Sequence, residues 1–389
     1  MTERPALSDY NQLLSFEERV FHVRFRQKVP KLYRDPAICV DRHRVVRENG
    51  KIVAAIAAWP GVLQTPAGAL SAVGIGSVAV DSSCRGKGYM REMMEDCDAI
   101  AAQQGAALGF LSGYRQRYAY YGYTPAGVQY LYEIRNYLIT RAQPKQTLTF
   151  SPLKNDLSAV PALTALHRGQ DAYWQRKEED FFLTTTTWRC RAYVVRDEEG
   201  AVCGYIVTER FRGEIGEMVL RDGVSAEDCL VLFARYKKWQ RLIVTLQEPQ
   251  YALRAQLASF AEHPSISAPA MFKIFDYKKV IETLGSCKAR RVALPEGSVV
   301  LDIDGDRLRV TVKDGRVTAE ATTDDADLCF TKEAAASALL SPFAAPQSHP
   351  LFAAWSPLCP LSLPHCDNIG APLAQLLAKA APQGGFAVD

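Results

Sequence analysis

Apolar and polar positions alternate along this chain in two rhythms, one suited to strands and one to helices. From Asp9 to Gln27 the apolar residues Leu13, Leu14, Phe16, Val20, Phe21 and Phe25 fall roughly on one side, which predicts a helix. His43 to Trp59 reads as two apolar runs around Asn49-Gly50, a pair suited to the type I′ turn of a β-hairpin. A further strand, the loop Gln64 to Gly68 and the stretch after it complete one mixed α/β domain that ends near residue 140. Val73 to Val80 is an apolar, β-branched run of strand length, broken by the polar stretch Asp81 to Cys84. Beyond Arg85-Gly86-Lys87-Gly88, the residues Met90, Met93, Met94, Cys97 and Ala101 recur at helical spacing, and Ala107 to Leu111 predicts the next strand.

The scheme then repeats. Arg191 to Val207 reads strand, charged turn, strand; Glu214 to Leu220 predicts an edge strand, Ser225 to Gln240 a capped helix and Leu242 to Gln247 a strand. From Cys287 the pattern changes to short alternating strands between Ser298 and Ala321, with Gly-Asp and Asp-Gly turns, an acidic break at Asp324 to Asp327 and a helix from Thr331 to Leu340. Three units are expected: residues 1–140, 141–286 and 287–389, all of mixed α/β character. Asp302-x-Asp304-Gly-Asp306 is too short for an EF-hand loop and reads as a hairpin turn.

Composition narrows the function. The chain has 389 residues, 48% of them apolar and 23% charged, with a formal net charge of only +3. So small and dispersed a charge predicts no nucleic-acid arm and no membrane-surface patch. The start, MTERPALSDYNQ, lacks the apolar core of a leader, and no run of 18 apolar residues occurs. Ten cysteines stand without a C-x-x-C pair, so reduced thiols, no metal site and a cytoplasmic setting are expected.

The chemistry concentrates where the Val73–Val80 strand hands over to a helix. Backbone N–H groups there lack partners, the helix dipole is positive, and glycines let an anion approach the bare chain. Arg85, Lys87 and Arg91 add charge. The stretch is no P-loop, since no Gly-Lys-Ser/Thr follows, and no dinucleotide fingerprint, which needs a third glycine. It reads as a pyrophosphate cradle. The second copy has Arg-Asp-Gly-Val-Ser-Ala-Glu-Asp at the matching place, and Glu227 and Asp228 would repel an anion. A wall for the first unit's cleft is its expected work.

Arg85-Gly-Lys-Gly88-Tyr-Met90, followed by a strand and then Tyr121-Gly122-Tyr123-Thr124-Pro125, resembles the GNAT superfamily of N-acetyltransferases. Its motif R/Q-x-x-G-x-G/A binds the coenzyme A pyrophosphate; Met90 stands where most members carry Gly or Ala. The whole pattern is most similar to the enhanced intracellular survival (Eis-like) subgroup. That resemblance implies two tandem GNAT-like domains, the second degenerate, and a C-terminal sterol-carrier-like α+β domain. It implies acetyl-CoA bound by Arg85, Gly86, Lys87, Gly88, Met90 and Arg91, with Val78 and Val80 holding the pantetheine arm.

A tyrosine suits protonation of the departing thiolate, because the two groups have similar basicity. Tyr114, Tyr118, Tyr120, Tyr121 and Tyr123 are candidates, and the subgroup's spacing from Gly122 selects Tyr118. In the subgroup a terminal carboxylate acts as base. The stretch Trp355 to Ile369 looks like its usual ending, yet 20 residues follow, Gly370 to Asp389. Either the extension returns Asp389 to the cleft or the role has moved, for instance to Asp367. His365-Cys366-Asp367 cannot be a triad, because three consecutive residues do not converge on one atom. The resemblance further implies a homo-oligomer, trimer or hexamer, and a small cationic amine as acceptor. A catalytically inactive coenzyme A sensor and a lipid-binding scaffold are the alternatives.

Overall fold

The computed structural model describes residues 1–209, 213–358 and 361–370. The strands are β1 (His43–Glu48), β2 (Lys51–Thr65), β3 (Gly68–Val80), β4 (Leu108–Leu111), β5 (Thr124–Ala126), β6 (Gln129–Arg135), β7 (Thr149–Pro152), β8 (Tyr173–Trp174) and β9 (Arg191–Arg196). There follow β10 (Val202–Thr208), β11 (Glu214–Leu220), β12 (Arg241–Gln247), β13 (Glu262–Ser267), β14 (Ala270–Ile274), β15 (Gly297–Ile303), β16 (Asp306–Lys313), β17 (Arg316–Ala321) and β18 (Leu328–Phe330). Among the described residues they form three sheets, ordered β1-β2-β3-β4-β14-β5 with β8 beside β2, β13-β6-β12-β11-β10-β9-β7, and β17-β16-β15-β18.

The first two sheets repeat one plan. In each, two antiparallel pairings (β1-β2-β3 and β9-β10-β11) lead to a short parallel pairing, β3 with β4 and β11 with β12. Each then takes its next strand from elsewhere in the chain. β14 lies between β4 and β5 in the first sheet, and β6 lies between β12 and β13 in the second. Strand β6, which the sequence placed in the first unit, thus belongs to the second sheet, and the two units are sewn together by exchange.

Local chemistry explains the turns. Asn49 and Gly50 take φ of 50° and 75°, the left-handed pair that a type I′ hairpin requires. Asp304 and Gly305 do the same between β15 and β16, and Asp302 accepts the Gly305 N–H, so the acidic cluster is a turn. The expected helix from Asp9 to Gln27 is instead Tyr10–Phe21 and Phe25–Lys28, separated at His22, whose left-handed φ of 53° ends the first piece.

The first sheet is covered on both faces. Helix Tyr89–Gln103 lays Met93, Met94, Cys97 and Ala101 on Ile56, Val73, Ile75 and Leu111. The N-terminal helices lay Leu13, Phe16, Phe25, Leu32 and Tyr33 on Val45, Ile52, Ala55 and Ala79. Helix Tyr277–Ala289 joins the far end of this sheet to the third, so Leu70, Leu108 and Phe272 share a core with Leu284, Val299, Leu301 and Val317. Among the described residues no helix is long and apolar enough to cross a membrane.

Candidate active site

Two left-handed glycines shape the loop between β3 and helix Tyr89–Gln103. Gly86 has φ 80°, and Gly88, the helix N-cap, has φ 85°. A Cβ built on either glycine would meet nothing within 4 Å, so the loop's outer side is open. The N–H groups of Tyr89, Met90 and Arg91 begin the helix and precede any i−4 carbonyl partner. Arg85 and Lys87 are exposed here; Lys87 Nζ donates to Glu48 Oε1 at 2.7 Å, and Glu48 also takes the Tyr89 hydroxyl. Arg91 lies over the Tyr120 ring at 5.6 Å, and Met90 is partly buried on the core below. An open, positive helix start of this kind is what a pyrophosphate needs.

The same handover in the second unit is closed by the protein itself. The Ser225 hydroxyl takes the Asp228 N–H, Gln256 takes the Ala226 N–H and Gln146 takes the Ser225 N–H. Asp228 Oδ2 accepts from Lys145 N and Gln146 N. The N–H groups of Ser225, Ala226 and Asp228 are thus taken by side chains, and Glu227 and Asp228 add negative charge.

Beside the open loop the first sheet forks. β3 and β4 pair from Ala72–Leu108 to Ile75–Leu111, after which β3 continues to Val80 beside β2 without β4. A bulge sits at the branch, because Ile56 faces both Ser77 and Val78, and Ser77 takes φ 52°. Such a conformation costs a non-glycine residue about 1–3 kcal/mol unless its surroundings hold it. The Asp81 N–H donates to Val53 O on β2, so by strand alternation the N–H groups of Val80 and Val78 face away from β2, toward the gap that β4 leaves.

The end of the described chain crosses this fork. Ile369 packs so tightly on Gly76 that a Cβ there would lie 2.9 Å from Ile369 O. Asn368 Nδ2 donates to Ser112 Oγ at 2.7 Å, just past β4, and Gly370 lies beside Ser112. Ile369 is buried among the N-terminal helices, so the tail enters from the face opposite helix Tyr89–Gln103. Asp389 and the helix expected around Leu373, Leu376 and Leu377 lie outside the described residues.

The tyrosines sort by position. Tyr123 is fully buried, while Tyr114 and Tyr120 are 45% and 70% exposed. Tyr118 is buried in the glycine-loop helix's cluster, its ring against Gly113 at the fork mouth. Burial pushes its phenol up, so it keeps its proton at neutral pH.

The tail is anchored by charges that carry no motif. Arg176, buried, spans Asp367 (Nε to Oδ1 2.9 Å, Nη2 to Oδ2 2.6 Å) and Glu217 (Nη1 to Oε1 3.0 Å, Nη2 to Oε2 2.8 Å). Lys31 Nζ donates to the Cys366 and Asp367 carbonyls, each at 2.7 Å, and Trp188 Nε1 to Asn368 O at 2.9 Å. Burial brings the Lys31 ammonium down to about 8. Asp367, offered as an alternative base, has both oxygens committed to Arg176 and lacks a free face. The ligand atoms of Glu217, Cys366 and Asp367 lie within 4.8 Å of one another, but the guanidinium already supplies the positive charge between the carboxylates. Arg176 sits in the polar run Gln175-Arg-Lys-Glu-Glu-Asp180, which reads as solvated surface; nothing in its spacing points to partners 41 and 191 residues away.

Residues 3–126 match the model of a family described as "Acetyltransferase (GNAT) domain". The structure is similar to a GCN5-related N-acetyltransferase from Anabaena variabilis, with 17% identity, TM-score 0.69 and coverage of 94% of this chain and 98% of that one. It is similar to a GCN5-related N-acetyltransferase from Kribbella flavida, with 15% identity, TM-score 0.66 and 87% of each chain covered. It is also similar to Eis1 from Mycobacterium abscessus, with 12% identity, TM-score 0.62 and coverage of 94% and 98%. No curated protein matches the sequence. At these identities the structural likenesses show the fold; the matched domain makes the chain an acetyltransferase.

Proposed function

We propose that the chain is an acetyl-CoA-dependent N-acetyltransferase of the Eis-like kind, acting on the primary amine of a small cationic acceptor (aminoglycoside-, polyamine- or lysine-like) by direct attack in a ternary complex. The observation that carries this reading is the open glycine loop beside a forked strand pair, with Tyr118 at the fork mouth. When bound, acetyl-CoA supplies the thioester. The N–H groups of Lys87, Gly88, Met90 and Arg91, with the charges of Arg85 and Lys87, suit its pyrophosphate. The N–H groups of Val78 and Val80 suit the amides of the pantetheine arm, and one of them can polarise the thioester carbonyl.

In this reading Tyr118 gives its proton to the departing sulfur. The amine must lose a proton, and the base is assigned to the Asp389 carboxylate, carried by a tail whose anchored part already lies in the fork. Acceptor and donor then arrive from opposite faces of the sheet, as direct transfer needs. The cationic acceptor and the homo-oligomer rest on the family resemblance, and the cytoplasmic setting on the scattered cysteines. Thiol release from acetyl-CoA, measured across polyamines, aminoglycosides and lysine peptides, tests the reading. Amine-stimulated release supports it. Tight acetyl-CoA binding without turnover on any amine leaves a sensor instead.

A further inference from the structure

Four buried groups beneath the fork have no part in the mechanism above. Tyr33 is fully buried; its ring stacks on Phe25 at 4.7 Å, and its carbonyl accepts the Tyr10 hydroxyl at 2.8 Å. Its own hydroxyl is hydrogen-bonded to Ser77 Oγ and stands 3.3 Å from His43 Nε2. His43 Nδ1 donates to Cys39 O at 2.6 Å, and its Nε2 lies 3.2 Å from Glu17 Oε1. Both His43 and Glu17 are fully buried.

These contacts tie the four side chains together. With Nδ1–H spent on the Cys39 carbonyl, His43 Nε2 faces Glu17 Oε1 and the Tyr33 hydroxyl, and that hydroxyl reaches on to Ser77 Oγ. Burial works against charge on His43, but Glu17 overcomes it and raises the imidazole to about 10. Ser77 is the left-handed residue of the β3 bulge, and the peptide that follows it carries the Val78 N–H. A glycine would take that φ freely; serine takes it with its hydroxyl tethered. An apolar set of similar volume would bury more cheaply than this ionic pair, so stability alone does not account for the network.

We propose that Tyr33 and Ser77, backed by Glu17 and His43, are positioning residues that hold the bulge so that the Val78 N–H is aimed into the fork at the thioester. The inference rests on the acetyltransferase reading above. The test is a set of variants, Tyr33→Phe, Ser77→Ala and the double variant, assayed for kcat and, by calorimetry, for acetyl-CoA affinity. Expected is a kcat fall of about tenfold to a hundredfold in each single variant, the scale of a small misplacement at the reacting centre. Acetyl-CoA affinity stays within about twofold of the parent, and the double variant is no slower than the slower single, because both changes cut one tether.

Parent-like kcat in Tyr33→Phe overturns the proposal, as do losses that multiply in the double variant. Should Tyr33→Phe fail to fold, Ser77→Gly decides. That change keeps the bulge free of strain and removes only the tether, so a tenfold kcat fall supports the network and parent-like kcat refutes it. A parent that turns over no amine fails the acetyltransferase reading and takes this proposal with it. An active parent with unaffected variants fails this proposal alone.

Discussion

Replacing Arg176 by methionine removes the cation from a buried site while keeping much of its volume. Arg176 is 3% exposed, and its loss leaves Glu217 (2%) and Asp367 (8%) as two carboxylates facing one another away from water. Breaking a buried ion pair from one side costs about 3–5 kcal/mol, because the remaining charge is uncompensated. Tyr205 still donates to Glu217 at 2.5 Å, and Lys31 and Trp188 still hold the neighbouring carbonyls, so the fold should survive. Asp367→Asn keeps the Arg176–Glu217 pair, and about 1–3 kcal/mol is expected. The order is therefore Arg176→Met well below Asp367→Asn, which is below the parent, in urea denaturation at pH 7.

Proton linkage adds a second signature. Burial alone would push the Glu217 carboxyl up, and Arg176 reverses this, holding it well below the usual carboxylate range. In the parent its contribution is present above the unfolded value of about 4.5 and fades only in strong acid. Without Arg176 burial wins, the carboxyl rises, and the variant regains stability as pH falls from 7 toward 5. The gap between parent and variant should thus narrow on acidification. A cost below about 1 kcal/mol at pH 7, or a gap that does not change between pH 7 and 5, refutes the account of this anchor.

Tyr118→Phe should lower kcat by about a hundredfold with acetyl-CoA affinity and melting temperature unchanged, as expected for a proton used only in the transition state; full activity moves the acid to another tyrosine or to water. His43 is raised above its unfolded value, so its stabilisation is fully present below about pH 6.5 and is lost as pH climbs toward 10. The stability difference between the parent and His43→Gln should shrink across that window, and a constant difference contradicts the charged pair. Deleting residues 386–389 should reduce kcat at unchanged melting temperature if Asp389 serves as base; undiminished turnover removes that role.

What the sequence made legible was local. The stripe Met93, Met94, Cys97 and Ala101 follows from the helical period, and all four are buried on the first sheet. Asn49-Gly50 and Asp304-Gly305 are turns because few residues tolerate left-handed backbone. Glu227 and Asp228 signalled a helix start hostile to anions, and Ser225, Gln146 and Gln256 complete its closure. The exchange of β6 and β14 between sheets left no trace, since a strand's alternation says which face is buried and not beside which strand it lies. Ser77 reads as an ordinary strand residue; its left-handed φ and its hydrogen bond to Tyr33, 44 residues away, leave no mark in the local pattern. The Arg176 anchor is equally non-local.

The most direct test of the central claim, that the first unit's glycine loop holds acetyl-CoA, is calorimetric titration of the parent and Gly88→Glu, with Gly88→Ala as control. A Cβ at Gly88 meets nothing within 4 Å, so alanine adds only the strain of a φ of 85°, while glutamate adds a carboxylate where the pyrophosphate would lie. The account predicts one acetyl-CoA per parent chain, binding largely retained in Gly88→Ala, and none in Gly88→Glu at a melting temperature matching the alanine control. Unchanged affinity in Gly88→Glu, or two molecules bound per chain, would contradict it.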